Sequence, residues 1–184
     1  REDEESRLAA CLGVDRVVEG WMSAYAGGVE RRRARMAAAG QMQTAAIEHP
    51  SYGIGTTEYM RSQGGYAVTL ECGQHEDPLA PAVAYRAIRR TLAMLGLVDE
   101  PRPAPGGPFE CLRLETVVDR LHDGDAFARA WTSFDPLREG DLIARRHDGQ
   151  AVLAPHDGYI VFPDPGAKPG HEWFYLAQPS ERRL

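Results

Sequence analysis

The tract Pro101-Arg102-Pro103-Ala104-Pro105-Gly106-Gly107-Pro108 constrains the fold of this 184-residue chain more than any other feature. Proline donates no backbone N–H, and glycine has no side chain to hold its dihedrals. Neither a helix nor a central strand is expected to run through such a stretch. The chain therefore reads as residues 1–100, a linker at 101–108, and residues 109–184. The hydrophobic period changes across the linker.

Before it, residues 5–25 read as helix, with Leu8, Cys11, Leu12, Val17, Val18, Trp21 and Met22 on an apolar side. Gly13 is a possible break in it, and Asp15 is placed to cap the second half. Gly27-Gly28 is expected to end that segment, and a short Arg/Ala-rich helix over 29–39 to stop at Gly40. Strands are expected over 42–48 and 66–71, joined by a loop from Ser51 to Gly64 with one helical turn from Thr57 to Arg61. A helix over 80–96 follows, with Pro81 in its first turn, Val83, Ala87, Ile88, Leu92 and Leu95 inward, and Gly96 at its end. This alternation belongs to an α/β domain.

After the linker the character is β. Strand candidates are 111–118, 141–144, 151–154, 159–162 and 173–177, separated by turns bearing Gly and Pro. The runs Glu139 to Ala144 and Ala154 to Ile160 resemble a barrel-sandwich hybrid, the shape of biotinyl and lipoyl carrier domains. A carrier needs a lysine at a hairpin tip. Lys168, the one lysine, sits in Gly166-Ala167-Lys168-Pro169-Gly170, which is not a carrier motif. The fold class expected is thus α/β followed by a small all-β, barrel-sandwich-like domain.

A hydrophobic content of 43% supports a real core, and a net charge of −6 argues against general affinity for nucleic acid. Arg31-Arg32-Arg33-Ala34-Arg35 reads as a solvated helix face. No apolar run approaches the ~20 residues that cross a bilayer, so no membrane partner is expected. Cys11, Cys72 and Cys111 are odd in number and widely spaced, which fits a reducing cytoplasm and no disulfide framework.

The most chemically suggestive stretch is Gly65-Tyr66-Ala67-Val68-Thr69-Leu70-Glu71-Cys72-Gly73-Gln74-His75. A strand-like run delivers a carboxylate to its end and then meets a glycine, an amide and an imidazole. Upstream stand Glu48-His49-Pro50-Ser51 and Thr56-Thr57. In this order the blocks E-H-P-S, T-T and T-L-E-C-G-Q-H resemble the succinylglutamate desuccinylase/aspartoacylase family of zinc hydrolases, related to the metallocarboxypeptidases. The resemblance runs along nearly the whole chain and implies a zinc-carboxypeptidase-like α/β domain with a C-terminal β domain that shapes the substrate channel.

One departure bears on the metal. The family's zinc ligands include an early His-x-x-Glu pair and a second histidine, all upstream of the strand with the catalytic glutamate. No His-x-x-Glu occurs here, and His122-Asp123-Gly124-Asp125 reads better as a polar turn. The chain is therefore expected to be the C-terminal portion of a longer enzyme. Its zinc ligands would lie in an N-terminal segment, and this chain alone would bind no metal.

The resemblance implies hydrolysis of a carboxylated amide, such as an N-acyl amino acid, with Glu71 as general base and acid. It places Arg61 in a substrate-facing loop, where its fork could hold a carboxylate; a surface arginine on a helical turn is the plainer reading. Tyr52 lines the pocket or simply packs. His75 bonds into the site or orders the turn before Asp77-Pro78, and His49 reads as structural. Tyr175 could reach the substrate, although a core role suits its aromatic cluster. A homodimer is expected from the family and from general frequency. The competing readings are a non-catalytic ligand-binding or regulatory module built on the β domain, and a degenerate hydrolase that binds carboxylated ligands without chemistry.

Overall fold

The computed structural model describes residues 2–40, 54–73 and 76–182. Helix α1 (Glu2–Cys11) leads through Gly13, which has a positive φ of 81°, into strand β1 (Arg16–Glu19). Helices α2 (Trp21–Ala38), α3 (Thr56–Ser62) and α4 (Ala80–Met94) follow. The remaining strands are β2 (Glu110–Asp119), β3 (Ala126–Phe127), β4 (Pro136–Leu137), β5 (Leu142–Arg145), β6 (Ala151–Leu153), β7 (Gly158–Val161) and β8 (Glu172–Pro179). One sheet has the order β1-β2-β8-β7-β4 and the other β3-β5-β6. The fold is mixed α/β, and its strands form two open sheets and not a closed barrel. No helix among the described residues is long and apolar enough to cross a membrane.

The chain forms two compact units. The described residues of the first are 2–17, 54–73, 76–111 and 181–182; those of the second are 18–40 and 112–180.

In the second unit, β8 is the central strand. Its Phe174 and Leu176 enter one core with Leu137, Ile143 and Ile160, while Tyr175 and Ala177 enter another with Leu112, Leu114 and Val117. Period-2 alternation thus buries both faces of one strand. The register of β2 against β8 shifts between Leu114 and Thr116. That irregularity moves the inward positions from the even residues Leu112 and Leu114 to the odd Val117.

Helix α2 lies in this unit too, and it differs from the sequence expectation twice. Gly27-Gly28 does not end a helix; both glycines are inside α2. A Cβ on Gly28 would stand 2.4 Å from Val117 Cγ1, so the glycine lets the helix pack directly against β2 there. The segment 16–19 is a strand and not helix, because Gly13 and Gly20, both at positive φ, bracket it. The stop at Gly40, φ 70°, is as expected.

The basic cluster is solvated at Arg31, Arg33 and Arg35 but not at Arg32. Arg32 is buried and its NH1 donates to Asp119 Oδ1 at 2.8 Å. Arg35 pairs with the other oxygen of Asp119, and Arg31 NH2 donates to the Val117 carbonyl at 2.9 Å. Asp119 itself is buried, so a charge at the end of β2 is matched by arginines one turn apart on α2.

In the first unit, α4 begins at Ala80 with proline in its first turn and closes before Gly96, φ 70°. Ala87 is buried, but Ile88 and Leu95, both expected inward, are exposed. Residues 101–109 form no regular secondary structure. The run 66–71, expected as a strand, forms none either. The expected strand 42–48 lies outside the described residues.

Candidate functional site

Helix α3 sets up the segment that carries Glu71. Glu58 reaches back to accept from the Gly55 N–H at 2.9 Å and from Thr57 Oγ1 at 2.8 Å, fixing the start of the helix. Burial alone would raise the Glu58 carboxyl; these donors and Arg61 outweigh it and hold its pKa below the usual value. At the other end the Gly65 N–H donates to the Met60 carbonyl at 3.0 Å, closing the helix and turning the chain back.

Both backbone groups of Ala67 are then taken by side chains. Its carbonyl accepts from Arg61 NH2 at 2.8 Å, and its N–H donates to Glu5 Oε1 at 3.2 Å. Arg61 Nε donates to the same Glu5 oxygen at 2.6 Å, and Arg61 NH1 donates to Glu58 at 3.2 Å. A carboxylate from α1 and a guanidinium from α3 thus occupy the groups that a neighbouring strand would use, which is why Tyr66 to Glu71 does not enter a ladder. Burial opposes ionisation of Glu5, but Arg61, the Ala67 N–H and the charge of Arg182 lower its pKa.

Glu71 lies four residues past this anchor and is exposed. Cys72 is half-buried. Gly73 has φ 120°, and a Cβ there would meet Asp77 Oδ2 at 2.9 Å. Asp77 in turn accepts from the Leu79 N–H at 2.8 Å and starts α4. Gly73 and Asp77 thus approach closely just ahead of α4, and a side chain at position 73 would not fit there.

Of the residues singled out from sequence, Arg61 and Glu71 share the first unit. Arg61 is engaged with Glu5, Glu58 and the backbone, and its bonds serve to position the Glu71 segment. Tyr52, His75 and His49 lie outside the described residues. Tyr175 belongs to the second unit and is buried. Its hydroxyl donates to Glu172 Oε2 at 2.6 Å, and burial together with that carboxylate pushes the phenol up from its ordinary 10.0. Open grooves of about 390 and 420 Å³ are lined by neither Glu71, Arg61 nor Tyr175. Among the described residues no three His, Cys, Asp or Glu side chains are grouped so as to hold a metal ion.

The second unit contains a polar cluster that the sequence reading passed over as a turn. Asp125 is buried and accepts from the Leu121 N–H at 2.8 Å, Arg146 NH1 at 2.8 Å and the His147 N–H at 3.0 Å. Burial would raise its pKa, but these donors win and lower it from 3.8 to about 2. The His122 and His147 rings stack with centroids 4.0 Å apart. The signal was present: His-Asp-Gly occurs at 122–124, 147–149 and 156–158.

Sequence comparison decides the relationship. No family model matches the chain. Succinylglutamate desuccinylases from Burkholderia pseudomallei and Burkholderia mallei are each 33% identical to it over 143 residues, covering 71% of this chain and 39% of theirs. The chain is a relative of the succinylglutamate desuccinylases over part of their length. The crystal structure of the succinylglutamate desuccinylase from Vibrio cholerae aligns with a TM-score of 0.52 at 22% identity, over 67% of this chain and 37% of that one. The Vibrio parahaemolyticus desuccinylase gives 0.53 at 21%, over 70% and 39%. At that identity the structural likeness speaks for the fold. The chain thus spans about 39% of the length of the curated desuccinylases it matches.

Proposed function

We propose that this chain forms part of a zinc-dependent amidohydrolase that removes the acyl group from an N-acyl amino acid or a similar carboxylated amide. The observation that carries the reading is the 33% identity to desuccinylases over 143 residues. Their name makes N-succinylglutamate the first substrate to try.

In this proposal Glu71 is the general base and acid. Its carboxylate takes a proton from the attacking water and returns it to the departing nitrogen, so that the amine leaves neutral. The exposed carboxylate at the end of an anchored segment supports that role, since it is open to a substrate. Arg61, Tyr52 and His75 are the proposed substrate-side residues. Arg61 has a side chain 41% exposed, which leaves an edge for a substrate carboxylate beside its bonds to Glu5 and Glu58. The described residues supply no metal site, so the zinc of this proposal would be held by residues outside them.

The test is hydrolysis of N-succinylglutamate by the active zinc enzyme carrying this sequence, followed by release of the free amine. Glu71→Gln is expected to leave KM near its starting value and to lower kcat by ~10²–10⁴-fold. A near-normal kcat would reduce Glu71 to a surface acid and end the proposal at its central residue.

A further inference from the structure

Helix α4 borders the open groove of about 390 Å³, and its Arg86, Arg89 and Arg90 line that groove. These arginines stand at spacings of three and four, on one side of the helix, where like charges repel. Only Arg89 has a carboxylate to offset it, that of Glu100, which lies past the end of α4. Arg90 gives its donors to the backbone, Nε to the Cys11 carbonyl and NH2 to the Ala104 carbonyl at 3.1 Å. Arg86 is exposed and makes no hydrogen bond or ion pair with another described residue. The groove thus sets three guanidinium charges against one carboxylate, in a chain whose net charge is −6. That local excess runs against the sign of the whole chain.

The cations are also held in position. Arg89 is fixed by Glu100, and Arg90 by two carbonyls. Pro101 and Pro103 line the groove as well, and Arg102 between them donates through NH2 to the Met94 carbonyl at 3.0 Å. The proline segment is thereby tied to the last turn of α4. Donors that are already fixed lose little freedom when a ligand arrives, so Arg86 is the one guanidinium left to be ordered. Tyr85, 67% exposed, and the two prolines offer apolar surface beside the charges.

A guanidinium fork matches the oxygens of either a carboxylate or a phosphate. A phosphate monoester carries roughly −1.5 to −2 at neutral pH, where a carboxylate carries a single charge, so a cluster of cations favours the phosphate. The volume suits a small molecule, for which sites run from about 300 to 1,000 Å³. We propose that this groove binds a small phosphate monoester. Its phosphoryl oxygens lie on Arg86 and Arg89, Arg90 adds its charge, and the organic part of the ester rests on Tyr85 and the prolines. The site takes no part in the hydrolysis proposed for Glu71 and stands or falls apart from it.

Phenyl phosphate is the probe, titrated calorimetrically into the full chain at neutral pH and low ionic strength, with benzoate and inorganic phosphate as parallel ligands. One site with a Kd below about 1 mM is expected for phenyl phosphate, weakened by added sodium chloride. Arg86→Ala should weaken it at least about fivefold, and Arg86→Lys less, since a lysine keeps the charge without the fork. Arg86 has no described partner to lose, and an unchanged urea midpoint checks that the variant is folded. Tyr85→Ala should weaken phenyl phosphate and leave inorganic phosphate unaffected. Arg138→Ala, at an exposed position of the second unit, should change nothing. No saturable binding below about 10 mM overturns the proposal, as does a loss on Arg138→Ala equal to that on Arg86→Ala, which would reduce the effect to general charge. Benzoate binding as tightly as phenyl phosphate overturns the choice of phosphate. Inorganic phosphate binding as tightly as the ester, with Tyr85→Ala silent, overturns the choice of an ester.

Discussion

Arg32 and Asp119 face each other 87 residues apart in sequence and 2.8 Å apart in space, with both side chains almost wholly withdrawn from water. Removing Asp119 takes from buried Arg32 its 2.8 Å partner and leaves Glu172 Oε1 at 3.9 Å. Asp119→Ala is therefore expected to lower unfolding free energy by about 3–5 kcal/mol. Arg32→Met with Asp119→Leu should cost less than Asp119→Ala by itself, because the charge that remains, on Arg35, belongs to a side chain 41% exposed to water. Urea unfolding of the three proteins, followed by the fluorescence of buried Trp173, measures the difference.

Gly28 gives a second handle on the same packing. Gly28→Ala should cost about 1–3 kcal/mol, since the new methyl group meets Val117 at a distance no packed pair adopts. Val117→Ala in the same protein should recover part of that loss. If Gly28→Ala unfolds at the same urea concentration as the parent, the close approach of α2 to β2 is not a constraint.

Asp125 makes stability depend on acid. Its native pKa, about 2, lies below the ordinary 3.8, so the native state favours the ionised form. The resulting stabilisation, about 2 kcal/mol, is fully present above the ordinary value and is lost as the pH falls from about 4 to about 2. Asp125→Asn should be less stable at neutral pH and should show a smaller decline over that interval. Melting temperatures across the acid range decide it; parallel curves for the two proteins would contradict the assignment.

Arg61→Ala separates anchoring from substrate binding. Loss of the guanidinium leaves the Ala67 carbonyl and Glu5 without their cationic donor, so exchange of the Ala67 amide should quicken. In the active enzyme KM should rise more than kcat falls, and most for substrates bearing a carboxylate. A faster amide with unaltered KM would make Arg61 a positioning residue only.

Zinc titration of the chain alone should show no stoichiometric site tighter than about micromolar by calorimetry at neutral pH. One submicromolar site would mean that this chain itself provides a ligand set.

The parts of the fold legible in the sequence were those set by local rules. Helix α4, with its early proline and closing Gly96, and strands β2, β5, β6, β7 and β8 follow from periodicity and turn residues. The failures had tertiary causes. Gly27-Gly28 looks like a stop until Val117 is known to press against that point. Arg32 looks solvated until Asp119 is found beneath it. Tyr66 to Glu71 has the composition of a strand, but Glu5, 62 residues from Ala67, takes the bond a strand would make. The short strands β3 and β4, two residues each, carry no pattern that a sequence could display. For the candidate site, the sequence located Glu71 and Arg61 but could not reveal that Arg61 is already holding the backbone ahead of Glu71.

The first unit is assembled from three separate stretches of chain, with its described residues at 2–17, 54–73, 76–111 and 181–182. Arg182 NH2 donates to Ser6 Oγ at 3.4 Å, so the two extremities of the described chain meet in that unit. Disturbing residues 2–17 or 181–182 therefore injures the same body, the one that bears Glu71, while the unit made of 18–40 and 112–180 keeps its own core clusters. Damage to either stretch would reach the proposed chemistry before it reached the β-rich unit, whose core holds Trp173 and would still report a folded protein.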